Sequence, residues 1–228
     1  MQNNNQNSNP NQSQKPLQHL PIFEGINETD LPAMLTCLGS YTRTFAKSQM
    51  IYLESNEIRS VGVVLNGTVH MLKDDAMGNT TLFSYIRSGE LFGETFACGS
   101  SLSSRVSFMA ATPCTVLFLP FNKVINSCSM ACIFHHRLIE NMMRLISEKN
   151  VMLMDKIDVT SRKTLREKIL CYLSIQKEQS GCPDFVIPLS RMELAEYLCA
   201  DRTAVSRELA KMQADGLISY DRNSFHLL

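Results

Sequence analysis

LSRMELAEYLCADRTAVSRELAKMQADGLI, residues 189–218, holds two helix patterns joined by a short turn. Ser190 stands three residues before Glu193, the spacing of a capping box, so a helix starts here. Leu194, Ala195 and Leu198 make its inner face, and the small Ala195 suits a close helix crossing. Asp201 is placed to cap a second helix, whose inner face is Val205, Leu209 and Met212 at steps of 4 and 3. The turn Cys199-Ala200 is short enough for a helix-turn-helix. Arg202, Thr203, Ser206 and Arg207 fall on the outward first turns of the second helix. Those positions meet base edges when such a helix enters the major groove. Arg202 and Arg207 are the base-edge candidates, because a guanidinium pairs two-pronged with guanine. Ser190 and Arg191, opening the first helix, join the expected DNA-contacting set. An ordinary helix pair with a solvated charged face shows the same pattern, so the flanking sequence has to decide.

Downstream, two short apolar runs, 217–220 and 225–228, flank Asp221 to Ser224 and read as a hairpin. Upstream, a short strand is expected at 185–187. A helix is expected from about 162 to 177, ended by Gly181-Cys182-Pro183. Before it, Asp158, Val159, Thr160 and Ser161 break one helix and cap the next, which makes this short stretch a candidate hinge. Helix, strand, helix, turn, helix and hairpin thus follow one another in the last third of the chain.

The preceding helix is long. Ile139, Met143, Ile146, Asn150, Leu153 and Ile157 recur at steps of 4, 3, 4, 3 and 4, a coiled-coil seam with one polar member. Leu138, Met142, Leu145 and Met152 form a second apolar row beside it. Two rows need two partners: the first is assigned to a second copy of the helix, the second to the domain before it. A single core helix in a monomer is the competing reading.

From Tyr41 to Pro120 the period is shorter. The runs MIYL, VGVVLNGTVHML, TTLFSYI, RVSFMA and CTVLFL are broken within by Asn66-Gly67 and between by Met77-Gly78-Asn79 and Ser88-Gly89. Many short strands at this spacing indicate an all-β roll or barrel. Asn27 or Thr29 can cap a short helix just before it, with Pro32 in the first turn. Residues 1–16 are almost all Asn, Gln, Ser and Pro and are expected to be a disordered tail.

Composition sets bounds. The 228 residues carry 22 Lys and Arg against 22 Asp and Glu, so no global charge draws the chain to nucleic acid or membrane. Residues 159–228 are also nearly balanced, with 10 basic and 9 acidic side chains, so DNA affinity must come from local placement. No apolar run approaches a membrane span, and the N-terminus lacks the pattern of a secretory signal. Eight Cys at irregular spacings fit reduced thiols in the cytoplasm better than a disulfide framework.

In this order, a β roll, a long seam-bearing helix and a helix-turn-helix with a hairpin wing resemble the Crp/Fnr family of bacterial transcription regulators. The resemblance covers residues 20–228. GELFGETF (89–96) resembles the family's effector-pocket signature, followed by an Arg, here Arg105. IDVTSRKTLREKI (157–169) resembles its hinge, and SRMELAEYL, DRTAVSREL and MQADGLI its DNA-binding motifs. The resemblance implies an α+β fold in four parts. These are a tail (1–16), an N-terminal double-stranded β-roll effector-sensing domain (17–127), a long dimerisation helix (128–158) and a C-terminal winged helix-turn-helix (159–228). It implies a homodimer on a pseudo-palindromic double-stranded operator, with RNA polymerase as a further partner. Thr203 stands where relatives often carry Glu, so the cytosine contact of that Glu is not expected.

The resemblance also places an unidentified small-molecule effector against Gly93, Glu94, Thr95, Arg105, Val106, Ser147 and Glu148. In cyclic-nucleotide binders of the family the matching Glu holds ribose hydroxyls and the Arg pairs the phosphate. This sequence departs from them. The stretch from Glu94 to Arg105 is one residue longer, Val106 replaces a Ser or Thr, and Glu148 falls at an adenine-contacting position. A cyclic nucleotide is therefore disfavoured, and a structural Glu94–Arg105 ion pair is the plain alternative. Iron–sulfur sensing needs an N-terminal Cys cluster, and residues 1–36 hold no Cys. Haem sensing would rest on His70 alone.

Cys128, Cys132, His135 and His136 bring possible metal or redox ligands to the first turns of the long helix, though small core cysteines and a solvated His pair are the plainer reading. A constitutive or metal- or redox-responsive regulator of the same fold is thus the alternative. A cupin-like β-roll enzyme needs several strand His, and Tyr41 to Pro120 contain one.

Overall fold

The computed structural model describes residues 17–78, 80–126 and 133–227. The expected tail, 1–16, lies outside them. The fold is α+β, and its contacts divide the chain into two units, Met1–Ile146 and Ser147–Leu228.

The first unit is built on two four-stranded antiparallel sheets. One has the order β1 (Tyr41–Phe45), β8 (Cys114–Pro120), β3 (Ser60–Asn66), β6 (Leu91–Phe92). The other runs β2 (Met50–Tyr52), β7 (Ser107–Ala110), β4 (Thr68–Asp74), β5 (Thr80–Arg87). Val61, Val63 and Val64 of β3 and Val116 to Leu119 of β8 are all buried, so these two central strands read as nearly continuous apolar runs. Between the sheets lies an aromatic cluster. Phe92 packs on Phe108 with ring centroids 5.1 Å apart and on Phe118 at 6.3 Å, and Tyr52 packs edge-on to Phe118 at 6.2 Å. Gly62 is paired with Phe92 in the β3–β6 ladder, and a Cβ there would stand 2.4 Å from the Phe92 ring. The glycine is what lets the ring lie flat across β3.

Two 3₁₀ turns, Leu17–His19 and Pro21–Phe23, and the helix α1 (Leu31–Cys37) precede the roll. Asp30, not Asn27 or Thr29, holds the cap position of α1; Asn27 instead donates to the Asp30 carboxylate at 3.0 Å. Short helices α2 (Glu94–Ala97) and α3 (Phe121–Ile125) interrupt and follow the strands.

The long helix α4 (Ile133–Thr160) runs through the boundary between the units. In its first half Leu138 and Met142 are buried in the roll's core, and Ile139, Leu145 and Ile146 are half-buried against it. Buried Asn141 donates to the carbonyls of Ile22 (3.1 Å) and Glu24 (2.8 Å), and Arg144 pairs with Glu24. Nothing in the seam pattern pointed to Asn141, a polar residue on the buried side.

In the second unit α5 (Leu165–Ser180), β9 (Asp184–Val186), α6 (Arg191–Tyr197), α7 (Arg202–Ala214), β10 (Ile218–Asp221) and β11 (Ser224–Leu227) follow α4. The strands form a sheet in the order β10, β11, β9. The core joins Val159 of α4 to Ile169, Leu173, Leu194, Leu198, Val205, Leu209, Met212, Ile218 and Phe225. The expected cap at 158–161 is corrected. α4 continues to Thr160, and α5 is capped by Thr164, whose side chain accepts from the Glu167 N–H in a capping box. Asp158 is occupied elsewhere: it pairs with Arg162 at 2.5 Å and accepts from the Cys171 thiol at 3.3 Å.

Candidate nucleic-acid interface and effector pocket

Ser190 caps α6 with Glu193 as its partner, the expected capping box. Leu194, Ala195 and Leu198 are buried, as are Val205, Leu209 and Met212 of α7. The turn between them places Cys199 at φ 51°, a left-handed conformation that few non-glycine residues adopt. Asp201 stands at the α7 cap position without a side-chain bond to the helix. Arg202, Thr203, Ser206 and Arg207 are all exposed. The helix pair is braced from α5: Lys168 donates to the Leu198 carbonyl at 3.2 Å, and Arg166 reaches Glu208 and Asp215, each at 2.6 Å. These two braces link residues 30 or more positions apart. No local spacing announces them.

Arg191, grouped by sequence with the DNA contacts, turns onto the wing. Its guanidinium carbon lies 5.4 Å from the Tyr220 ring centre and 5.6 Å from that of Phe225, and Nη2 donates to the Arg222 carbonyl at 2.8 Å. Burial holds its pKa below the ordinary value.

In the roll, β6 ends at Gly93, whose φ of 77° suits glycine. Glu94 follows at the start of α2 and is only 7% exposed, whereas Thr95 is exposed. The Cys98 thiol is pushed up to about 11, by burial first and then by the Glu94 charge. Arg105 is exposed, and Val106 is buried with its carbonyl accepting from the Ser104 hydroxyl at 2.6 Å. Lys73 of β4 donates to the Arg105 carbonyl at 2.9 Å and pairs with Glu54. Lys73, paired with Glu54, therefore ties the backbone at Arg105 to β4. The signal for it was the strand ladder, in which Leu72 lies opposite Ser107. Ser147 and Glu148 lie on α4 at the start of the second unit, both exposed.

Of the seam residues, Met143, Leu153 and Ile157 are 65%, 57% and 66% exposed, and Asn150 is exposed. Ile139 and Ile146 are half-buried against the roll. Met152, assigned to the roll-facing row, is instead exposed. Cys128 and Cys132 lie outside the described residues. His135 is buried and His136 exposed, so the two do not form one solvated face. No group of three or more metal-binding side chains occurs among the described residues. His70 packs edge-on against Tyr85, ring centres 5.0 Å apart. No helix among the described residues is long and apolar enough to cross a membrane.

Two family models match the chain. A cyclic nucleotide-binding domain matches residues 42–129, and a Crp-like helix-turn-helix domain matches residues 167–228. The chain is 30% identical over 112 residues to the transcriptional activator protein FnrL of Cereibacter sphaeroides, a match that spans 40% of this chain and 45% of that protein. It is 22% identical over 205 residues to electron transport regulator A of Shewanella oneidensis, covering 87% of this chain and 78% of that one. Among solved structures it resembles CprK complexed with OCPA, with a TM-score of 0.67 and 15% identity over 87% of this chain and 88% of that chain. At that identity the likeness is one of fold.

Proposed function

The chain belongs to the Crp/Fnr family of transcription regulators, and we propose that it binds its operator as a homodimer controlled by a small molecule in the roll. As in the relatives it matches, its role is to bind DNA and regulate transcription, not to catalyse a reaction. The observation that carries the reading is α7. One side is sealed in the core by Val205, Leu209 and Met212, and the other presents Arg202, Thr203, Ser206 and Arg207. That division suits a helix laid in the major groove, with Arg202 and Arg207 at base edges. The Ser190 hydroxyl is engaged in capping, so its contact would be to phosphate through the helix start.

The dimer reading rests on Met143, Leu153 and Ile157, large apolar side chains exposed along one row of α4, with Asn150 among them to fix register. Residues 17–127 then serve as the sensing domain and 159–228 as the DNA-binding domain, with the helix between them as the dimer element. RNA polymerase is the further partner and the cytoplasm the compartment.

Gly93, Glu94, Thr95, Arg105 and Val106 are the effector residues in this reading. They fit a cyclic nucleotide poorly. The residue beside Arg105 offers a buried valine where a phosphate wants a hydroxyl. A different ligand suits these residues better, its acidic group meeting the exposed Arg105, while Lys73, held by Glu54 and the Arg105 carbonyl, steadies the segment. Ligand and operator binding must then be coupled equally in both directions.

The test is selection of duplexes from a randomised pool by the purified protein. Two half-sites about one helical turn apart are expected. Arg207→Ala should cost about 1–3 kcal/mol and relax the preference at one base pair. A selected pool without symmetry would overturn the dimeric reading. Equal weakening on all sequences would make Arg207 a phosphate contact.

A further inference from the structure

The wing is held in an unusual way. β10 and β11 are joined by two residues, Arg222 and Asn223, with Asp221 paired to Ser224 across the turn. Two-residue hairpins favour Gly, Asn or Asp where φ is positive. Here the positive φ, 50°, falls on Arg222. A bulky residue persists in that region only where its surroundings over-determine it, and such residues cluster at functional positions.

The surroundings are visible. Tyr220 and Phe225 face each other across the ladder with their rings stacked at 5.5 Å, and Phe185 of β9 stacks on Phe225 at 6.4 Å. The Arg191 guanidinium lies within cation–π reach of Tyr220 and Phe225, and its Nη2 bonds the carbonyl of Arg222 itself. From the other side, the Asn223 carbonyl accepts from the Ile187 N–H at 2.9 Å. Both residues of the turn are therefore pinned by their carbonyls. The Arg222 side chain is exposed and makes no ion pair among the described residues. A fixed backbone thus carries an unengaged cation at the tip of the wing, on the same domain as α7.

We propose that Arg222 is a DNA-phosphate contact made by the wing, and that Arg191 is the positioning residue that holds it there instead of touching DNA. This rests on the reading of α7 as the DNA-binding helix. It reassigns one of the residues expected at the interface and adds one that no helix pattern could supply.

The salt dependence of duplex binding tests it, on the duplex that the wild-type protein selects. Each phosphate contact contributes about 0.9 to the slope of log affinity against log salt. Arg222→Gly suits the left-handed turn, so the wing stays folded while the cation is lost; the slope should fall by about 0.9 for each protomer bound. Arg191→Ala should lower the slope to the same degree, and should lower it no further when Arg222→Gly is already present. Arg191→Lys keeps the charge but not the planar stack, so it should show the same loss with an unchanged melting temperature. An unchanged slope in Arg222→Gly would overturn the phosphate contact. A further fall on adding Arg191→Ala to Arg222→Gly would show that Arg191 itself meets phosphate. If wild-type protein binds no duplex in a salt-dependent way, the reading of α7 fails, and this one with it.

Discussion

Asp158, in the last turns of α4, accepts a hydrogen bond from the Cys171 thiol of α5 at 3.3 Å while it pairs with Arg162 at 2.5 Å. Val159 beside it is buried in the core of the second unit, and Lys156 lies 5.6 Å from the Tyr197 ring. The end of α4 is therefore fastened to the rest of the second unit through Cys171, the core around Val159 and Tyr197. A pivot at 158–161 would have to break all of these contacts. Burial, and then the bond to Asp158, raise the Cys171 pKa. Asp158→Asn removes a charge that opposes the thiolate. Cys171 alkylation at mildly alkaline pH should then quicken by roughly three- to tenfold, read by peptide mass mapping. An unchanged rate would mean that the carboxylate does not control this thiol.

Leu153→Glu tests the apolar row of α4. Leu153 is exposed within one chain, so a charge there should cost the single subunit little. Buried in a seam it should separate the subunits, and sedimentation should then give the mass of one chain, 25.7 kDa. A dimer of unchanged strength would remove Leu153 from the seam.

The roll should weaken in alkali. The Cys98 thiol is raised from 9.0 to about 11, by burial and then Glu94. The Tyr52 phenol is raised from 10.0 to about 12, by burial and then Tyr41. Both groups stay neutral in the folded chain at a pH where the unfolded chain ionises. Their contribution is complete below pH 9 and is lost as pH climbs through the folded values. The urea midpoint should fall steadily from pH 9 to 11, and Cys98→Ala should blunt the first part of the fall. A level midpoint would contradict the assignment.

Gly62→Ala should destabilise the roll by about 1–3 kcal/mol, since the added methyl runs into the Phe92 ring. Phe92→Leu in the same chain should recover part of that loss in a urea melt. Equal losses from the two changes, simply added, would show that the ring does not set the limit.

Much of this was legible in the sequence because the signals are local. Ser190 and Glu193 carry their own spacing, and the inner faces of α6 and α7 follow from steps of 3 and 4. The strands of the roll follow from their turns. The α5 cap was legible too, since Thr164 and Glu167 have the same spacing, but Asp158 and Ser161 offered a nearer pair of capping residues. What could not be read depends on distant partners. Arg191 turns to the wing because of rings about 30 residues further on. Lys73 meets Arg105 because of a strand register.

The sheet order has a consequence for how the protein is made. Among the described residues β1 is an edge strand whose one ladder is with β8, the last strand of the roll, while β9, β10 and β11 and the helices α6 and α7 find their neighbours within a shorter length of chain. Contacts between distant segments form slowly, and an unpaired strand edge invites other chains. During synthesis the first strand of the roll has no ladder among the described residues until Phe118 and Leu117 emerge to meet Tyr41 and Thr42. Within the roll the earliest strand thus waits longest for its neighbour, and that interval is when the nascent roll most needs a chaperone.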